Sequence, residues 1–205
     1  MFVSIIIPAC DIEPDTTPLQ KVMATTELMY EIIIEYDSYR EGKGITLQRG
    51  FKRSSGDIIV WYDADNEIKP SAIPEMIHLL NGGTTGQPDI GAVIGSKMHK
   101  DSRIHYPFGR RIVSKVGHWV IKTLFGLPIK DSQTGIKVFR RELLEGQWIS
   151  TGFGFDVEIL CSIHEKGLGI IEVPVVIRKH NSKEVFLMTL FKTLTEILKL
   201  KRRLK

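Results

Sequence analysis

The sequence predicts an α/β fold in which helices cover both faces of a mostly parallel sheet. Three observations carry that prediction. Short β-branched runs at Val3 to Ile7, Ile32 to Ile34 and Ile58 to Val60 have the length and composition of buried strands. Stretches with apolar residues at helical spacing lie between them. Prolines and glycines punctuate the boundaries. Strands alternating with helices imply parallel pairing, because each crossover runs through a helix.

Val3-Ser4-Ile5-Ile6-Ile7 is the first strand and Pro8 ends it. Pro14 to Pro18 is loop, with Thr16 or Thr17 as N-cap for a helix over Leu19 to Met29. Glu31 to Tyr36 is the second strand. Gly42-Lys43-Gly44 opens a helix that reaches about Ser54, and Gly56 follows it. Asp57 to Tyr62 is the third strand and runs straight into Asp63-Ala64-Asp65. A helix starts between Pro70 and Pro74 and stops at Gly82-Gly83. Ile90 to Ile94 is a strand. Arg103 to Arg111 is a basic loop. Ile112 to Phe125 is a helix, ended by Gly126-Leu127-Pro128. Ile136 to Phe139 is a short strand, and Phe155 to Lys166 a helix followed by Gly167 and Gly169. Ile170 to Val176 is a strand that contains Pro174, which marks it as an edge. Glu184 to Leu200 is the last helix. We divide the chain into one domain, residues 1–183, and an amphipathic basic terminal helix, residues 184–205.

Composition narrows the class. With 205 residues, 42% of them hydrophobic and 25% charged, the chain can bury a substantial core and is not a disordered type. Two cysteines, 18 glycines and 9 prolines exclude a disulfide scaffold and a collagen. Cys10 and Cys161 have no metal-ligand spacing; each follows an apolar residue, so both are expected to be buried thiols in a reducing compartment. No basic segment precedes the first apolar run, and no window approaches 18 uninterrupted apolar residues. The expected location is therefore cytoplasmic. A net charge of +4 is mild, so its placement matters more than its size.

Asp63-Ala64-Asp65 is the sharpest chemical feature. The carboxyl end of a strand in a parallel sheet is where open α/β folds bind ligands. Were the strand to continue, Asp63 and Asp65 would point the same way and hold a hard divalent cation, which would neutralise a diphosphate. Glu67 continues the spacing as a third oxygen ligand. The same residues also suit a solvated acidic turn. Gly42-Lys43-Gly44 combines close backbone approach, a cation and a helix N-terminus, all suited to an anion, but it lacks the P-loop spacing and equally suits a basic turn. Lys97, Lys100, Arg103, Arg110 and Arg111 form a basic stretch suited to phosphate oxygens or to a solvated face. Asp156 and Glu158 start a helix, where the dipole favours acids. The terminal helix pairs an apolar face with Lys192, Lys199, Lys201, Arg202, Arg203 and Lys205. That suits an anionic membrane surface, or docking on the core with a frayed tail. Aromatics are not interleaved with these basic residues, which argues against nucleic acid as a partner.

Taken in order, these pieces resemble a family 2 glycosyltransferase of GT-A (Rossmann-like) fold, and most of all its dolichyl-phosphate and polyprenyl-phosphate glucosyl- and mannosyltransferases. The resemblance rests on Val3-Ser4-Ile5-Ile6-Ile7-Pro8-Ala9, Gly42-Lys43-Gly44 with Gly50-Phe51, and Gly56-Asp57 leading to Asp63-Ala64-Asp65. It continues through Gly95-Ser96-Lys97, Arg110-Arg111, Asp131-Ser132-Gln133-Thr134-Gly135-Ile136-Lys137-Val138-Phe139, Gly154-Phe155-Asp156-Val157-Glu158-Ile159-Leu160 and Glu172-Val173-Pro174-Val175. The set spans nearly the whole chain in the family's order.

The resemblance implies a metal-dependent, inverting transfer of a hexose, glucose before mannose, from UDP-glucose or GDP-mannose to a polyprenyl phosphate. Pro8, Ala9, Asp11, Asp37, Lys43, Asp63, Ala64 and Asp65 would bind the nucleotide sugar. Asp63 and Asp65, with Glu67 near, would hold Mg²⁺ or Mn²⁺. Lys97, Arg110 and Arg111 would hold the acceptor phosphate, and Asp131 would lie near the reacting centre, so that Asp131, Arg110 and Arg111 form the catalytic set. A peripheral position on the cytoplasmic membrane face would follow from the lipid acceptor. The alternatives are a family 2 transferase acting on a glycan hydroxyl, with Asp131 or Asp156 as base, a non-catalytic relative, and a helix-mediated membrane-binding module. This sequence also departs from the family pattern. Asp11-Ile12 with Glu13 stands for the usual Asn-Glu, Tyr36-Asp37-Ser38-Tyr39 for Asp-Asp-Gly-Ser, and Lys97 for Arg. About one helix and one strand of the family layout are absent between Asp37 and Gly42. The sequence sets no oligomeric state.

Overall fold

The computed structural model describes residues 1–82, 89–103, 121–146, 154–178 and 201. Its centre is a six-stranded sheet built from β1 (Phe2–Ala9), β2 (Met29–Tyr36), β3 (Ile58–Tyr62), β4 (Ile90–Ser96), β5 (Ile136–Arg140) and β6 (Gly169–Pro174), in the order β2-β1-β3-β5-β4-β6. β1 pairs in parallel with β2 and β3, and β4 in parallel with β6. β5 runs antiparallel to both of its neighbours, β3 and β4. The described helices are α1 (Thr17–Met23), α2 (Lys43–Arg53), α3 (Ile73–Asn81) and α4 (Phe155–Glu165), with 3₁₀ turns at Pro70–Ala72 and Arg141–Leu143. Residues 121–125 are also helical.

Strand alternation makes two cores from one sheet. Val3, Ile5 and Ile7 of β1 face the same way as Ile58, Val60 and Tyr62 of β3, against Leu19 and Met23 of α1 and Met76, Ile77 and Leu80 of α3. Ile6, Ile59, Trp61 and Phe139 face the other way, against Leu47 of α2 and Phe155, Ile159 and Leu160 of α4. All five residues of β3 are buried, which explains its unbroken apolar run. Each such aliphatic side chain contributes about 1.5–3 kcal/mol on burial. Trp61 is wedged between aromatic rings, 4.6 Å from Phe139 and 5.5 Å from Phe155 between centroids.

Several boundaries differ from the sequence reading. Pro8 does not end β1: it pairs with Glu35, and Ala9 with Tyr36. The β3 ladder stops at Ile6, so one side of the strand needs no donor beyond that point, and a missing N–H is tolerated there. The first helix ends at Met23 rather than Met29. Thr25 and Thr26 turn their hydroxyls onto the carbonyls of Val22 and Met23, both at 2.7 Å, and so take over the last acceptors. Met29 begins β2 instead. β3 stops at Tyr62, and Asp63 to Asn66 form a turn. A short turn leads from β2 directly into α2, and β2 is an edge of the sheet. β6 is the opposite edge, as its proline predicts. Cys161 is buried, and burial raises its thiol to about 12, but Cys10 is exposed.

The predicted helix over 112–125 is described only at its end. Of the predicted terminal helix 184–205 the structure describes Lys201 alone, whose ammonium lies 5.4 Å from the Phe125 ring centroid. Among the described residues, no helix is long and apolar enough to cross a membrane.

Candidate active site

A cleft of about 340 Å³ opens at the carboxyl ends of β1 and β3. Its lining includes Pro8, Ala9, Asp37, Lys43, Asp63, Ala64 and Asp65, all of them singled out from sequence. Cys10, Ile12 and Thr46 complete it and were not singled out for it. Asp11 sits between two lining residues but is not among them. Its backbone is left-handed (φ 57°), and its carboxylate pairs with Arg40 at 2.8 Å in an exposed position.

Asp37 shapes the near wall. Its two carboxylate oxygens accept from the backbone N–H groups of Glu41 (2.8 Å) and Gly42 (2.9 Å), and its own N–H donates to Ala9 (2.8 Å). The turn is thereby tied to β1. Gly42 then enters α2 at φ 111°, which a side chain would oppose, and Lys43 emerges on the first turn of the helix. Asp37 thus borders the cleft largely as the residue that places Lys43.

Lys43 Nζ meets Asp63 Oδ1 at 2.5 Å, with both side chains about one-third exposed. Burial pulls the Lys43 ammonium down, but the carboxylates of Asp63, Asp156 and Asp65 outweigh it and hold its pKa above the ordinary lysine value. Asp63 is also gripped from behind. Its N–H donates to the Gly135 carbonyl at 3.1 Å, because β5 runs beside β3 with Ile136 opposite Tyr62. A methyl group on Gly135 would stand 1.9 Å from Asp63 Oδ2. The glycine of the Asp-Ser-Gln-Thr-Gly loop is therefore the space that Asp63 occupies.

Asp65 is exposed, and its Oδ1 accepts from the Glu67 N–H at 2.9 Å. Asn66, at φ 53°, closes the turn. Its side chain accepts from the Tyr62 hydroxyl (2.9 Å) and donates to the Asp15 carbonyl (2.8 Å). Asn is among the few residues that enter this backbone region readily. That preference was a usable signal in the sequence, and Asn66 was passed over.

Both Asp63 and Asp65 face the cleft, though by a turn and not by a continued strand. A hard divalent cation on a diphosphate takes one or two carboxylates, and its remaining ligands are phosphate and water oxygens. The donor set fits that pattern. Among the described residues, no group of three or more acids, histidines or cysteines stands ready to hold a metal ion, and Glu67 is not among the residues that line the cleft.

Beneath Asp63 lies a buried ion pair. Lys137 Nζ and Asp156 Oδ1 are 2.7 Å apart, at 2% and 6% side-chain exposure. Burial drives the Lys137 ammonium below the ordinary lysine value, and Lys43 adds to that, while Asp156 and Asp63 oppose it. Acids and ammoniums therefore alternate from the cleft into the core. Sequence reasoning gave Asp156 a helix-dipole role and, in the glycan-hydroxyl alternative, that of a base, and gave Lys137 none; a lysine inside an apolar strand was the available signal.

Asp131 is buried beside the end of β4, and its oxygens are already engaged. Oδ2 accepts from the Lys97 N–H (2.9 Å) and Oδ1 from the Gln133 N–H (3.2 Å), while the Asp131 N–H donates to Glu172 (2.9 Å). Asp131 therefore fastens the Lys97 turn and the Asp131–Gly135 loop to β6. Lys97 is half-buried. Arg110 and Arg111 lie outside the described residues.

The sequence profile of the family described as Glycosyl transferase family 2 matches residues 4–148. The dolichol-phosphate mannosyltransferase of Pyrococcus furiosus is 32% identical over 83% of this chain and 48% of its own length. A dolichyl-phosphate beta-glucosyltransferase of Dictyostelium discoideum is 32% identical over 65% of this chain and 42% of its own. The chain thus spans about half the length of these relatives, or less. Among solved structures, glucosyl-3-phosphoglycerate synthase of Mycobacterium tuberculosis, in complex with Mn²⁺, UDP and glucosyl-3-phosphoglycerate, superposes with a TM-score of 0.70. That match covers 96% of this chain and 78% of the other at 20% identity, a likeness of fold.

Proposed function

The chain belongs to glycosyl transferase family 2, and on that premise we propose that it moves a hexose from a nucleotide sugar to a polyprenyl phosphate. The observation that carries this reading is the cleft in which Asp63 and Asp65 stand at the strand ends with Lys43 between helix and acid. The cleft suits a nucleoside diphosphate, and the relatives named for dolichyl-phosphate transfer supply the acceptor class. Glucose is favoured over mannose as the sugar.

Asp63 and Asp65 hold Mg²⁺ or Mn²⁺ in this reading. When bound, the ion neutralises the charge that grows on the departing diphosphate. Lys43 keeps Asp63 in place and adds a positive charge at the same pole. Lys97, with Arg110 and Arg111, holds the acceptor phosphate in line. A phosphate oxygen attacks the anomeric carbon, the bond from that carbon to the diphosphate breaks, and its electron pair leaves with the nucleotide. Attack opposite the leaving group inverts the centre. A phosphate monoester is already anionic near neutral pH, its second pKa being about 6, so no strong base is needed. Asp131, with both oxygens engaged by backbone N–H groups, is better suited to positioning Lys97 than to taking a proton. Acting on a lipid acceptor would keep the chain at the cytoplasmic face of a membrane, where the basic residues of 184–205 suit anionic headgroups.

The test is transfer itself. Radiolabelled UDP-glucose or GDP-mannose is incubated with the protein, Mn²⁺ and dolichyl phosphate, and the lipid is extracted. Acid-labile sugar in the organic phase is the expected result. Transfer to 3-phosphoglycerate and not to lipid, or no transfer by folded protein, would reject the reading.

A further inference from the structure

Strand β2 forms one edge of the sheet, and it lacks several of the usual protections. Its eight residues pair with β1 in unbroken register, with no bulge to twist the edge away. It contains neither proline nor lysine, the residues that commonly discourage edge pairing. Among the described residues, no strand lies on its outer side. Met29 is 69% exposed and Tyr36 48% exposed.

The sequence of this edge has a symmetry that helps to choose the partner. Tyr30-Glu31-Ile32-Ile33-Ile34-Glu35-Tyr36 reads the same in both directions. In an interface with a two-fold axis, if residue i meets residue j then j meets i. An antiparallel pairing of two such strands centred on Ile33 sets Tyr30 opposite Tyr36 and Ile32 opposite Ile34, with Ile33 opposite itself. Aromatic pairs and β-branched pairs both stabilise when directly opposed.

The one liability is Glu31 opposite Glu35, and the chain already answers it. Glu31 accepts from the Ser4 hydroxyl (2.6 Å) and the Ser55 N–H (2.8 Å), and Glu35 pairs with Arg49 (3.1 Å) and Arg53 (2.7 Å). Each opposed pair of acids therefore arrives with two guanidinium groups. We propose that β2 is a self-pairing interface through which two copies of this chain join their sheets edge to edge, antiparallel and centred on Ile33.

Two measurements test it. Sedimentation velocity of this chain, from low to high micromolar concentration, is expected to show twice the monomer mass. The register is then read by cysteine cross-linking in a Cys10→Ser background, since Cys161 is buried. Opposed residues in such a pair lie about 4.5–5.5 Å apart between Cα atoms, within disulfide range. Two copies of residue 30 lie six positions apart along the strands, roughly 20 Å. Mixing Tyr30→Cys chains with Tyr36→Cys chains should give cross-linked dimers on oxidation, and each variant alone should not. A monomer at every concentration would overturn the proposal, as would a dimer that cross-links equally well without mixing.

Discussion

Gly135→Ala puts a methyl group where Asp63 now lies. The added carbon would stand 1.9 Å from Asp63 Oδ2 and 2.4 Å from its carboxyl carbon. Carbon and oxygen normally approach to roughly 3.3 Å, so the carboxylate must retreat by on the order of 1 Å. That is enough to break the 2.5 Å contact with Lys43 and to turn Asp63 away from the position proposed for the diphosphate. Disturbing the groups that hold a metal-ligating side chain typically costs about 10- to 100-fold in metal affinity. Overpacking adds about 1–3 kcal/mol of instability. The assay is calorimetric titration of the nucleotide donor with Mn²⁺, alongside urea unfolding. We expect donor affinity to fall about 10- to 100-fold while the protein stays folded. In an Asp63→Ala background the nearest part of residue 63 is its Cβ, at 3.1 Å, so adding Gly135→Ala should cost little more. Wild-type affinity in Gly135→Ala, or an equal loss in both backgrounds, would refute the steric reasoning.

The buried pair makes a second prediction. Lys137→Met removes the partner of the buried Asp156 and should cost about 3–5 kcal/mol in urea unfolding, whereas Lys137→Met with Asp156→Leu should recover most of it. Asp131→Ala frees the Lys97 N–H and the Gln133 N–H; it should lower the rate of transfer to polyprenyl phosphate while leaving donor affinity in calorimetry near wild type. The acid limb of stability should depend on Glu31. Burial pushes its carboxyl up, but hydrogen bonds from Ser4 and Ser55 outweigh that and hold it below the ordinary 4.5. Its contribution is then complete above the unfolded value and disappears as pH falls through the lower folded one, so Glu31→Gln should flatten the stability curve below about pH 4.5.

The parts legible in the sequence were those governed by apolar pattern. β1 and β3 show as short unbroken runs because both faces of the sheet are covered, and Asp63-Ala64-Asp65 stands out because it follows such a run. The cleft residue Lys43 followed from a glycine-bounded helix start, and Asp37 from the family resemblance. Boundaries set by side chains acting on the backbone were harder to read. Thr25 and Thr26 end α1 by hydroxyl bonds that apolar spacing does not register, so Leu28 and Met29 were drawn into the helix. Contacts between distant segments were the least legible. Gly135 read as a turn residue until β5 brought it under Asp63. Asp156 read as a dipole partner until Lys137 was found 2.7 Å away. Asp131 read as a group near the reacting centre, and its hydrogen bonds to the Lys97 and Gln133 N–H groups, made across the fold or by backbone, left no trace in the pattern.

The most direct test of the account is titration of UDP-glucose and GDP-mannose, each with and without Mn²⁺, into the wild-type chain and into Asp65→Ala. Asp65 is exposed at the cleft and ties down only the neighbouring Glu67 N–H, so its loss should not unfold the protein. The account expects one donor to bind only with the metal, and Asp65→Ala to abolish that binding. No binding of either donor by folded wild-type protein, or equal metal-dependent binding by Asp65→Ala, would contradict it.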